Sequence, residues 1–138
     1  MNTIIILKTA GLLHLAMLCA GACVPRVTGL FEHTTALPPF LRQLFLVYFG
    51  FIAGLIICFG SITFFLADAL ASGTPLAKAV CGLLLLFWTA RTFVAWFVFD
   101  MRPYLTNTWR KVGYQLLNLG FHFLVFAYAW ALITGGQP

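Results

Sequence analysis

Charge is what this sequence has least of, and acidic charge above all. Of 138 residues only three are acidic (Glu32, Asp68 and Asp100) and eight basic, so 8% are charged, against about a quarter in soluble domains. That scarcity marks an integral membrane protein, and four bilayer crossings of about 20 residues each would use most of the chain, leaving no room for a separate soluble catalytic domain, a nucleotide-binding domain or a long extramembrane linker. Internal repeats, low-complexity segments, heptads, zinc-type ligand spacings and nucleic-acid motifs are also missing. What fills the chain is apolar: 62% of residues are hydrophobic and the mean hydropathy is +1.01. The charges fall between four apolar runs, each of roughly the 20 residues that a bilayer crossing needs. The expected fold is therefore all-α, a single transmembrane domain over 1–138. Its second and third connections are short, which predicts sequential antiparallel packing, hence an integral membrane four-helix up-down bundle.

The first span is expected at about 4–24, with Lys8 near enough to the chain start to snorkel to the interface. Ala20-Gly21-Ala22-Cys23 also has the small residues of a signal-peptide cleavage region, but three isoleucines precede the lysine where such a peptide would be basic. The second span, about 41–66, follows Leu37-Pro38-Pro39, prolines that suit a helix entry and not its interior. The third, about 75–99, opens with Thr74 as N-cap and Pro75 at the first helical position. The fourth, about 114–133, follows the capping candidates Thr106 and Asn107. Connection 25–40 carries Leu30, Phe31 and Leu37 and is expected to lie along the interface.

Loops one and three share a side and hold Arg26, Arg42, Arg102, Arg110 and Lys111, against Lys8 and Lys78 on the other. The imbalance places those loops in the cytoplasm and both termini in the periplasm. The net charge of +5 reads as anchoring to anionic headgroups of membrane lipids, and no nucleic-acid partner is expected.

Ionisable groups inside a membrane are costly and point to function. At about 1.5 Å per residue, His14 lies about 16 Å in from Pro25, Arg91 about 13 Å in from Asp100 and His122 about 12 Å in from Tyr114, all from the same side. Tyr48 is about 9 Å in from Arg42 by the same measure. On the fourth span Lys111, Gln115, Asn118 and His122 form one stripe. On the third, Trp88, Arg91, Ala95 and Arg102 share a face, and on the first His14 shares its face with Ala10, Gly11 and Gly21, small residues that permit close approach. The expected site is an intramembrane pocket of His14, Tyr48, Trp88, Arg91, Gln115, Asn118 and His122, open toward Glu32, His33 and Asp100. Arg91 stands out because its guanidinium needs several acceptors or an anion, and no acidic residue shares its depth.

Two histidines at matching depth also admit axial ligation of one b-type haem by His14 and His122. Cys19 and Cys23, with Met17 nearby, have the softness to hold Cu(I), although free cysteines commonly pack as small apolar side chains. Cys58 and Cys81 lie at similar depth in the opposite leaflet, where a bridge is open to them. Gly50 and Gly54, continued by Cys58 and Ser61, make a small-residue face for packing within the bundle, in a homo-oligomer or in a larger membrane complex.

The segments Leu37-Pro38-Pro39-Phe40-Leu41-Arg42-Gln43-Leu44-Phe45, Phe87-Trp88-Thr89-Ala90-Arg91 and Phe97-Val98-Phe99-Asp100-Met101-Arg102-Pro103-Tyr104 are similar to small uncharacterised bacterial four-helix membrane proteins. In size and layout the chain resembles the DoxX-like families. The resemblance spans nearly the whole chain and implies a fold and a bacterial inner-membrane address, with no activity. The expected function is non-catalytic or accessory: a cytoplasmic-leaflet pocket for a lipid, quinone or similar amphiphile. The alternatives are a membrane redox protein with haem on His14 and His122, and a small oligomeric transporter using the polar stripe of the fourth span.

Overall fold

The computed structural model describes residues 2–136, and among these there is helix, turn and loop but no strand. The elements are α1 (Thr3–Thr28), α2 (Leu30–Thr34), α3 (Pro39–Phe65), α4 (Ala67–Ala71), α5 (Pro75–Phe97) and α6 (Thr108–Thr134), with a single 3-10 turn at Arg102–Tyr104. α1, α3, α5 and α6 are each long and apolar enough to cross a membrane.

Local chemistry sets the ends. Asn2 caps α1 by accepting from the Ile4 N–H at 3.0 Å. The helix does not stop at Val24 as hydropathy predicts: it runs through Pro25 to Thr28. Proline forfeits one backbone bond, a loss that long apolar helices tolerate. Termination falls to Gly29, whose φ of 62° is left-handed and whose N–H donates to the Pro25 carbonyl; glycine enters that region without a Cβ penalty. Pro39 begins α3, and Thr74 caps α5 by accepting from the Ala77 N–H at 3.3 Å. α6 starts at Thr108, six residues before the expected Tyr114, because polar Arg110 and Lys111 are good helix formers even where they are poor membrane residues. Asn107 occupies the N-cap position without a side-chain bond.

α1 packs chiefly on α3, α5 on α6, and α1 on α6. Paired contacts run in opposite order along each pair. Gly11 meets Phe64 while His14 meets Gly60, Met17 meets Gly120 while Thr3 bonds Thr134, and Trp88 stacks on Phe121 while Ala95 meets Tyr114. The core lies toward the end where α4 joins α5, built of Leu7, Ala10, His14, Ala67, Leu84, Trp88, Leu124, Ala127 and Tyr128. Toward the other end fewer side chains are buried, and α3 is exposed from Pro39 to Ile52. Its outward residues, among them Phe40, Phe51 and Ile52, form the kind of apolar surface that hydrocarbon solvates and water does not.

Candidate functional site

The polar residues expected in one pocket separate into three environments. The first is a buried tie between helices. His14, fully buried, donates from Nδ1 to the Ala10 carbonyl at 2.7 Å and accepts at Nε2 from the Trp88 indole N–H at 3.1 Å. Its Cβ lies under Gly60, where a methyl group would come within 2.8 Å. The rings of Trp88 and Tyr128 meet it edge-on at 5.0 and 6.3 Å. Nearby, Thr63 donates to the Phe59 carbonyl at 2.7 Å, which leaves its oxygen to accept from the Tyr128 hydroxyl at 2.6 Å. These bonds join α1 to α5 and α3 to α6, as polar side chains between membrane helices commonly do.

The second environment lies outside the packed helices. Tyr48 is 60% exposed, on the exposed part of α3, and does not join the site. His122 and Gln115 are exposed as well. His122 donates from Nδ1 to the Asn118 carbonyl at 2.7 Å and meets Trp96 edge-on at 5.5 Å. The reason is helical phase. The buried face of α6 runs through Phe121, Leu124, Tyr128 and Ala131, and at 100° per residue the stripe Lys111, Gln115, Asn118 and His122 is centred roughly 130° around from it. The two histidines therefore face different spaces. Since both ring nitrogens of His14 are already bonded, they do not form a pair of axial ligands for haem.

The third environment is the one with unmet chemistry. Arg91 packs its guanidinium against the ring of Phe121 at 4.9 Å and that of Phe99 at 5.5 Å. Its Nη1 is buried with no hydrogen-bond partner, and Asn118 Oδ1 is buried and unpartnered too. The register sets these two opposite each other. Trp88, three residues before Arg91, stacks on Phe121, three after Asn118, at 5.7 Å. Ala95, four after Arg91, accepts from Tyr114, four before Asn118, at 3.4 Å. Buried polar atoms nearly always have partners, so a facing donor and acceptor both left open mark a place where something else belongs.

A cavity of about 530 Å³ leads to this place between the end of α5, residues 98–105 and the start of α6. Asn118, Gln115 and Tyr114 line one side, Ala95 and Phe99 the other, and Asp100 and Arg102 stand at its rim. Arg91 lies directly behind Phe99 and Asn118 and is not itself a wall residue. Across Met101, Leu105 and Tyr114 is a second cavity of about 240 Å³, apolar, between α1 and α6. Phe99, Tyr114 and Phe121 were not expected at the site; the sequence signal for Tyr114 and Phe121 was the spacing of 4 and 3 from Tyr114 through Asn118 to Phe121, and no such spacing marks Phe99.

The cysteines are all free thiols, with Cys19, Cys23 and Cys58 exposed and Cys81 buried. Cys58 and Cys81 form no bridge, since one points out of the bundle and the other into its core. Met17 turns away from the exposed Cys19 and Cys23, its terminal methyl lying where a Cβ on Gly120 would stand. The small-residue face is likewise unused within the chain: nothing lies within 4 Å of a Cβ built at Gly50 or Gly54, and α3 packs through Gly60 and Thr63 instead. No family model, curated protein or solved structure matches this chain.

Proposed function

We propose that this chain is a multi-pass protein of the bacterial inner membrane, one up-down four-helix bundle, and that its α5–α6 cavity binds the head of a lipid, quinone or similar amphiphile in a non-catalytic or accessory role. The observation that carries this reading is the facing pair of buried, unpartnered polar atoms, Arg91 Nη1 and Asn118 Oδ1, behind the cavity wall. A half-buried guanidinium packed on phenylalanines, with one of its nitrogens shut off from solvent, is expensive unless that nitrogen finds an acceptor. A head group in the cavity supplies them, while exposed Trp96, Phe97 and Val98 at the mouth offer apolar contact to the tail. Gln115, exposed on a helix that crosses hydrocarbon, gains a polar neighbour by the same occupancy. His14 and Trp88 support the site by holding α1 to α5 and do not touch the ligand.

Native mass spectrometry of the gently solubilised protein tests this. The wild-type chain is expected to carry one amphiphile per copy, and Arg91→Leu is expected to lose it while keeping the helical content and unfolding behaviour of a folded bundle. A bare wild-type chain, or a variant that retains the adduct at full occupancy, removes Arg91 from the role.

The excess of basic residues in loops one and three supports an orientation with the cavity in the cytoplasmic leaflet and both termini in the periplasm. Alkaline phosphatase fused after Pro138 is expected to be active and a green fluorescent reporter at the same place dark. The reverse pattern moves the cavity to the outer leaflet.

A further inference from the structure

We infer that the amphiphile is an anion, whose negative group is taken by Arg91 with Asn118 beside it; this rests on the proposed function above and names the chemical class of its ligand. The first argument is the missing counter-ion. Among the described residues the one ion pair joins Arg102 to Asp100 at 4.0 Å, on the exposed rim. Glu32 lies in α2, and Asp68 lies in α4 at the far end of the bundle. Asp100 stands at the cavity rim beside Arg102, and among the described residues no carboxylate lies within 4.0 Å of Arg91; a partly buried cation without a close opposite charge is unfavourable.

The aromatic contacts do not remove that need. Phe99 and Phe121 offer ring faces to the guanidinium, but its N–H donors still require acceptor atoms, and Nη1 has none. The carbonyl of a neutral quinone would satisfy a donor and leave the charge uncompensated. An oxyanion does both, and phosphate and carboxylate are the groups whose geometry matches the guanidinium fork. The approach favours the same sign: on the cavity rim Arg102 is offset by Asp100, but Arg110 and Lys111 on the first turn of α6 have no acidic neighbour on that turn, a local excess of positive charge that concentrates anions. Trp96, Phe97 and Val98 at the mouth are 63%, 74% and 63% exposed. A free inorganic anion would leave that apolar surface unmatched, whereas the chain of an anionic lipid would lie along it.

The discriminating variant is Asn118→Asp, which places a carboxylate opposite Arg91 and supplies the counter-ion from within. Delipidated protein would be mixed with phosphatidylglycerol, with phosphatidylcholine of the same chains, with a decyl-tailed benzoquinone or with inorganic phosphate, and read by native mass spectrometry. Wild type is expected to prefer phosphatidylglycerol over phosphatidylcholine by about tenfold or more, the equivalent of about 1.4 kcal/mol. Asn118→Asp is expected to lose that preference and unfold at higher temperature. Arg91→Gln is expected to lose it without the gain. Lys78→Gln removes one positive charge at the opposite end of the bundle, on the first turn of α5, and is expected to keep it.

Equal retention of the two phospholipids by wild type overturns the anionic assignment while the amphiphile site stands, and so does a preference that survives both Asn118→Asp and Arg91→Gln. Displacement of phosphatidylglycerol by inorganic phosphate overturns it in favour of a free anion. Failure of all three amphiphiles to bind removes the underlying reading itself.

Discussion

Trp88→Ala is expected to cost this bundle about 3–5 kcal/mol, the range for truncating a large buried aromatic. Trp88 is 1% exposed, stacks on Phe121 and meets Phe87 and His14 edge-on. Between membrane helices the driving force is close packing, since lipid is as apolar as the side chains themselves. A void in such a core forfeits its dispersion contacts outright. The truncation also strips the donor from His14 Nε2, leaving a buried acceptor open at a further cost of about 1–3 kcal/mol. Trp88→Phe separates the two effects: most of the ring volume returns, and the loss is expected to fall to about 1–3 kcal/mol for the hydrogen bond. Unfolding midpoints in detergent, by heat and by added dodecyl sulfate, measure both. A Trp88→Ala protein that unfolds at the wild-type midpoint would mean that the tie between α1 and α5 is not what holds them.

Gly11→Leu is expected to separate α1 from α3, at a cost of about 3 kcal/mol, the upper end for overpacking. Even the first added carbon would lie 2.7 Å from Phe64 Cβ and 2.8 and 2.9 Å from its backbone N and Cα. A flexible side chain would yield to such a collision, but here the helix backbone itself stands in the way. The control is on α3. Gly50→Leu and Gly54→Leu meet nothing within 4 Å and are expected to leave the unfolding midpoint close to wild type. All three substitutions replace glycine by the same helix former, so propensity favours each equally and only position distinguishes them. If Gly50→Leu proved as damaging as Gly11→Leu, that face of α3 would be buried against a second chain.

The number and order of the long helices were legible before any coordinate, because a run of about 20 apolar residues has few other ways to fold. Thr74-Pro75 and Pro38-Pro39 marked their helix starts within two residues, since a cap and a proline act locally. The ends that ran past expectation are those where hydropathy and helix propensity disagree. Arg110 and Lys111 read as loop by one measure and as helix by the other, and Pro25 reads as a stop although a long helix absorbs it.

The candidate site was half legible. Trp88, Arg91 and Asn118 were named from their type and depth, and the structure brings them to one interface around Phe121. Depth says how far along a helix a residue lies, whereas a pocket also requires it to point the right way. His122 matches His14 in depth and faces outward beside Trp96, whereas the α1–α3 register sets His14 beside Gly60 and leaves Tyr48 twelve residues away on the exposed part of α3. The glycines tell the same story, for Gly50 and Gly54 have the more recognisable spacing while Gly11 and Gly60 make the contact.

The sequence by itself thus determined the four apolar helices, their approximate ends and the rare polar residues at middle depth, all of which depend on one chain segment and its solvent. Tertiary structure alone decided which of those residues meet. Helix rotation is a collective outcome of close approach at Gly11 and Gly60 and of the His14–Trp88 and Thr63–Tyr128 bonds. That rotation brings Arg91 and Asn118 to the α5–α6 interface with Nη1 and Oδ1 unpartnered, and leaves the one acidic residue of the cavity, Asp100, at its rim beside Arg102.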